Sequence, residues 1–205
     1  MDSQYILILD SIGIIAFTLS GYILASKMSF DLLGIVFISF TSAFAGGVFR
    51  DSIVGRIPFI FEASYPLTIA LITIVIAYFL KLHIHARITN NKIFLFSDTL
   101  GLSTFALTGA LVAIEYHLNF GGVLFLSLLT AVGGGIVRDI IMNKIPYILT
   151  NEFYGMVSIM IGGLIWLLNI LNLLSSITIT LVFLFGVAIR LVAIKRSWKL
   201  PSLKH

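Results

Sequence analysis

Two Arg-Asp pairs carry the chemistry of this sequence, each three residues beyond a glycine cluster at the end of an apolar run. The first reads Ala43-Phe44-Ala45-Gly46-Gly47-Val48-Phe49-Arg50-Asp51, followed by Arg56-Ile57-Pro58. The second reads Ala131-Val132-Gly133-Gly134-Gly135-Ile136-Val137-Arg138-Asp139, followed by Lys144-Ile145-Pro146. An arginine facing lipid at mid-depth costs about 2.5–3.5 kcal/mol on insertion scales, so it must snorkel, pair with an acid or face water inside the protein. Two roles are therefore open to Arg50 and Arg138: a place beside a polar path, or an interfacial anchor. The acids available to them are the adjacent Asp51 and Asp139 and, one apolar run earlier, Asp10 and Asp98. Asp98, beside Ser97, also fits an ordinary first-turn position of a helix.

The glycines admit two readings as well. Each costs a helix about 1 kcal/mol relative to alanine and leaves carbonyls uncovered, which predicts a kink or break. Uncovered backbone at membrane depth belongs where protein buries it or water reaches it, so two such breaks would line a path. The alternative is close packing of small residues. Packing is the expectation for Gly13, Phe17, Gly21 and Ala25 and their counterparts Gly101, Phe105, Gly109 and Ala113, which lie on single stripes. Ser42 and Thr130, one turn before the glycine pairs, could face the path or bond to their own helix backbone.

Enzyme chemistry finds no foothold. Cysteine is absent, His83 and His85 alternate in a basic loop, His117 stands alone, and no ligand cluster has metal-site spacing. The Gly-Gly-Gly-x-x-Arg-Asp run lacks the Gly-Lys-Ser/Thr ending of a phosphate loop. No catalytic residues, metal or cofactor are expected.

The elements that position these residues are membrane helices. Of 205 residues, 59% are hydrophobic and 11% charged, and the apolar residues form runs of about 17–23, the length that crosses about 30 Å of hydrocarbon. Seven spans are expected, at about Tyr5–Ser26, Phe30–Phe49, Ser64–Leu80, Thr99–Ile114, Phe120–Val137, Phe153–Leu174 and Ile177–Ile194, within one membrane domain over residues 1–205. The helical register around the glycines extends as far as Ile57 and Ile145. Lys27, Lys81, Arg87, Lys92, Arg138, Lys144, Lys195, Arg196, Lys199 and Lys204 fall on one side of this arrangement, and Arg50 and Arg56 on the other. The positive-inside bias then puts the N-terminus outside and the C-terminus in the cytoplasm. Arg190, near the end of the last span, is expected to snorkel to the richer side. The net charge of +4 suits an anionic inner leaflet, and no nucleic-acid partner is implied.

The spans are duplicated. Residues 10–59 align with 98–147 without a gap at an offset of 88, and 17 of the 50 positions are identical, including the acids, glycines, Arg-Asp pairs and prolines named above. Repeat one covers about 5–85, repeat two about 93–174, and the seventh helix about 177–195. Three spans per repeat, an odd number, make the second copy enter the bilayer from the opposite side. The fold class is thus an all-α membrane protein of two inverted three-helix repeats plus one helix, an architecture that holds a path near the midplane.

With its duplicated repeats, seventh helix and doubled Gly-Gly-x-x-Arg-Asp segments followed by Pro58 and Pro146, the sequence resembles the trimeric intracellular cation (TRIC) channel family, in its prokaryotic branch. The resemblance implies a homotrimer in the lipid bilayer with one pore per subunit, gated around glycine-kinked second and fifth helices and passing monovalent cations, potassium or sodium. The lipid-binding Lys-Glu-Val motif of animal members is absent, so phosphoinositide binding is not implied. Prokaryotic relatives have also been proposed to carry glycine, which makes a small-solute transporter the alternative.

Overall fold

The computed structural model describes residues 3–28, 30–84, 92–150 and 153–198, with side chains from Ile6 onward. His85, Arg87, Lys199 and Lys204 lie outside the described residues. Among the described residues the regular elements are helices: α1 (Ser3–Ala25), α2 (Leu32–Ile53), α3 (Phe59–Glu62), α4 (Tyr65–Phe79), α5 (Lys92–Glu115), α6 (Phe120–Ile141), α7 (Tyr147–Thr150), α8 (Tyr154–Ile170) and α9 (Ser176–Lys195). Five of them, α1, α2, α5, α6 and α9, are long and apolar enough to cross a membrane. The expected third and sixth spans are shorter apolar helices, α4 with 15 residues and α8 with 17, each preceded by a one-turn helix.

The local chemistry that starts and stops α2 is repeated at α6. Asp31 caps α2 by accepting from the Gly34 amide at 2.7 Å, and Asn119 caps α6 by accepting from the Gly122 amide at 2.8 Å. Both helices are followed by a left-handed residue, Gly55 (φ 74°) and Asn143 (φ 53°), the two residue types that adopt this conformation most readily. The continuous register expected as far as Ile57 and Ile145 therefore stops earlier. Each helix has 22 residues, about 33 Å, which matches the hydrocarbon without excess.

The break expected at the glycines is replaced by a close crossing. α2 and α6 each run as one uninterrupted α-helix through their glycines. A Cβ on Gly46 would run into the Thr130 carbonyl, and one on Gly134 into the Ser42 carbonyl, while one on Gly133 would come within 3.0 Å of the Gly46 Cα. Ser42 thus meets Gly134 and Gly46 meets Thr130, so the helices cross antiparallel with backbone against backbone. Gly135 differs, because a Cβ there meets only the Arg138 guanidinium at an ordinary 3.6 Å. Gly135→Ala should accordingly melt at or above the wild-type temperature in detergent, and Gly46→Ala should lose about 1–3 kcal/mol through overpacking. Equal melting of the two variants would remove the crossing as the reason for the glycines.

The other helices surround this crossing. α1 packs against α2 and α5, α5 against α6, and α8 against both α5 and α6. The stripes on α1 and α5 interlock as expected, with Gly13 under the Phe105 ring, Gly101 under the Phe17 ring, and the two ring centroids 5.4 Å apart. α5 is the most enclosed of the long helices and α9 the least. Outward faces carry exposed residues such as Leu33, Phe37, Ile72, Phe125 and Leu181, the surface a lipid solvent calls for.

Candidate functional site

The Arg-Asp pairs are buried, and the sequence around them explains how. Asp51 takes the Arg50 guanidinium on both oxygens, at 2.7 and 3.2 Å, and also receives Arg56 at 2.8 Å and the Phe59 amide at 2.9 Å. Asp139 repeats this with Arg138 at 2.8 Å and the Tyr147 amide at 2.8 Å. Each aspartate thus reaches over the left-handed turn and binds the amide just after the proline, fixing the start of the following one-turn helix. This accounts for the spacing Arg-Asp-x4-Arg/Lys-Ile-Pro. The interfacial-anchor reading does not hold for either arginine, since Arg50 is 1% exposed and Arg138 0%.

Each arginine then reaches into the other repeat. Arg50 donates to the Thr108 hydroxyl at 3.3 Å, and Arg138 donates to the Ser20 hydroxyl at 2.9 Å. Ser20 and Thr108 are counterparts at the repeat offset of 88. Because α2 and α6 cross antiparallel, and each arginine lies four residues beyond its crossing glycine, the two clusters sit to either side of the crossing. Charge-assisted bonds of this kind, made inside protein, fix the arginines far more firmly than surface pairing would.

The two clusters differ in how they are filled. In the second, Arg138 lies 3.5 Å from Asp98, Ser20 donates to Asp98 at 3.3 Å, and the buried Tyr154 side chain lies beside it. Asp98 is not a first-turn residue: α5 begins at Lys92, and the acid sits within the helix, 2% exposed, with these partners meeting its charge. Arg190 also departs from expectation. It does not snorkel but turns inward from α9, 2% exposed, over the rings of Tyr154 at 4.7 Å and Tyr147 at 5.8 Å. An arginine inside an apolar span was the available signal, and a partner pair of aromatics, which no spacing rule picks out, decides its direction.

In the first cluster Asp10 lines a cavity of about 530 Å³ together with Arg50, Arg56, Thr108, Glu115 and Leu174. Arg50 forms no ion pair with Asp10 within the described residues, and the Asp10 Oδ1 has no hydrogen-bond partner among them. Ser42 and Thr130 do not present their hydroxyls to a path: they donate to Ile38 and Leu126 carbonyls one turn back at 2.8 and 2.6 Å. Both pack against the glycine stripes, at Gly21 and Gly109. No group of three or more metal-ligating side chains exists among the described residues.

A helical membrane protein with two buried arginine clusters flanking an antiparallel helix crossing is the class these features define. A family model described as Glycine transporter matches the chain twice, over residues 7–81 and 95–169, the second match beginning and ending 88 residues after the first. The membrane protein YvgT of Bacillus subtilis, of the UPF0126 group, is 35% identical over 197 residues, 95% of each chain. Among solved structures, a TRIC cation channel studied for the structural basis of conductance superposes with a TM-score of 0.84 at 32% identity over 97% of each chain. The trimeric intracellular cation channel orthologue from Rhodobacter sphaeroides superposes with a TM-score of 0.86 at 26% identity, over 96% of this chain and 100% of that one. The chain belongs to the prokaryotic TRIC channel family, to which the UPF0126 membrane proteins and the glycine-transporter model also correspond. It is a multi-pass membrane protein and not an enzyme.

Proposed function

We propose that this protein is a channel for monovalent cations, potassium or sodium, with one path through each subunit of a homotrimer. The observation that carries the reading is the pair of buried Arg-Asp clusters on either side of the α2–α6 crossing, in a fold that superposes on TRIC cation channels over nearly its whole length. A guanidinium alone in such a path would repel cations. Here each is neutralised by an adjacent carboxylate, and the first cluster opens into a cavity that also carries Asp10 and Glu115. Gating is by relative movement of α2 and α6 at their glycine contact, which bistable packing favours over continuous bending. Proteoliposomes loaded with potassium should release it down its gradient in a protein-dependent way, and a flux equal to that of empty liposomes would end the reading.

The same reading takes α1, α2 and α4 as one three-helix unit and α5, α6 and α8 as its inverted copy, with α9 as a seventh crossing. The antiparallel contact of α2 and α6 supports it, since parallel copies would run these helices the same way. The N-terminus is then outside and the C-terminus in the cytoplasm. In this cysteine-free chain, Asn172→Cys before α9 should label with an impermeant maleimide from outside intact cells. Arg196→Cys, at the end of α9, should label only after the membrane is opened. Labelling of both from one side would contradict the seven-crossing arrangement.

A further inference from the structure

The two clusters descend from one duplicated unit, yet only one of them satisfies its acid. In the second, the Ser20 hydroxyl receives Arg138 and donates onward to Asp98, so serine bridges the guanidinium to the carboxylate. In the first, the counterpart Thr108 receives Arg50 but lies 3.4 Å from the Phe105 carbonyl of its own helix, to which it donates. The relay stops there, and the Asp10 Oδ1 is left without a partner although the residue is only 8% exposed. The position equivalent to Tyr154, which lies beside Asp98, is Pro66, which has no hydroxyl to offer. Arg190 comes from α9, the helix outside the duplication, and adds its charge to the second cluster alone.

We propose that Asp10 is a binding site for a partly dehydrated monovalent cation in the 530 Å³ cavity it lines, and that the second cluster has no equivalent site because Asp98 is occupied by Arg138 and Ser20. This rests on the channel reading and names the place where the permeant ion loses water. A buried carboxylate oxygen lacking a donor costs free energy unless something meets it, and a cation with its remaining water does so in a cavity of this size. The charges that face Asp10 permit it. Arg50 and Arg56 both direct their guanidinium groups at the fully buried Asp51, and Glu115 stands on the cavity wall with Asp10. Counting Asp51 behind the wall, acids outnumber bases around the cavity by one.

The test compares melting of the purified protein in potassium chloride with melting in N-methyl-D-glucamine chloride at the same ionic strength, an organic cation too large for such a site. Wild-type protein should be more stable in potassium, and Asp10→Asn should lose the difference while Asp10→Glu, which keeps the charge, retains part of it. In reconstituted protein, Asp10→Asn should raise the half-saturating potassium concentration for conduction about tenfold. Wild-type melting that does not distinguish the two cations overturns the site. So does an Asp10→Asn variant with unchanged potassium response and unchanged saturation. Potassium-specific melting abolished by Asp10→Asn in a protein that passes no ions would keep the site and end the channel reading instead.

Discussion

Arg138→Ala should prevent accumulation of folded protein, and either Asp98→Asn or Asp139→Asn in the same chain should recover part of it. Arg138 is fully buried and is the cation that answers both carboxylates, at 3.5 Å for Asp98 and 2.8 Å for Asp139. Removing one partner of a buried pair typically costs about 3–5 kcal/mol because the other charge is left uncompensated. Here two acids are left, with Arg190 nearby but committed to the rings of Tyr147 and Tyr154. Neutralising one acid removes half of the excess, so the double variants should be less damaged than the single one. That is the non-additivity expected of groups in one network. Arg138→Lys tests geometry rather than charge. A lysine cannot reproduce the fork that spans Asp139 and Ser20, so this variant should fold and still conduct less than wild type. Detergent-extracted yield by size-exclusion chromatography measures the first effect and potassium efflux the second. Additive losses in the double variants would show that the carboxylates act independently of Arg138.

Gly134→Leu should be the most damaging substitution at any glycine of α6. The first atom of any side chain there already runs into the Ser42 carbonyl, and the neighbouring Gly133 sits over Gly46. There is no flexible neighbour to give way, since the obstacle is backbone, so α2 and α6 must separate. Overpacking usually costs about 1–3 kcal/mol, and forcing two backbones apart along a whole crossing belongs at or beyond the upper end of that range. The separation would also pull Arg50 from Thr108 and Arg138 from Ser20, contacts that join the repeats across the crossing. The variant should therefore lose conduction together with thermal stability. Lost conduction at unchanged melting temperature would mean that Gly134 works by shaping the path and not by holding the helices together.

Much of this arrangement was legible in the sequence, and the failures have identifiable causes. The offset of 88 residues, visible in aligned glycines and charges, anticipates reciprocal contacts such as Gly13 with Phe105 and Gly101 with Phe17. It also anticipates matched caps at Asp31 and Asn119. Burial of Arg50 and Arg138 with the adjacent acids follows from the cost of a charge in lipid. The glycines at the crossing were harder to read, because a propensity scale records what glycine costs a helix and not what a neighbouring backbone gains from its missing side chain. For Asp98 the sequence left two readings open, partner of Arg138 or first-turn residue, and the structure takes the first; the Ser20 bridge that completes the contact is distant in sequence and had no signal. Arg190 was taken to snorkel for the same reason. The difference between Asp10 and Asp98 could not be seen at all from the repeat, which makes the two acids equivalent. It arises where the copies diverge, at Pro66 against Tyr154, and where a helix without a counterpart contributes a side chain.

The proposed channel passes ions by an open path and not by a carrier cycle. Single-channel recording of the purified protein in a planar bilayer, with unequal potassium chloride on the two sides, tests it most directly. Discrete current steps that reverse near the potassium equilibrium potential are the predicted result, because a continuous path delivers enough ions per opening to resolve. Macroscopic transport of a small solute such as glycine, with no unitary steps under any applied voltage, would contradict it.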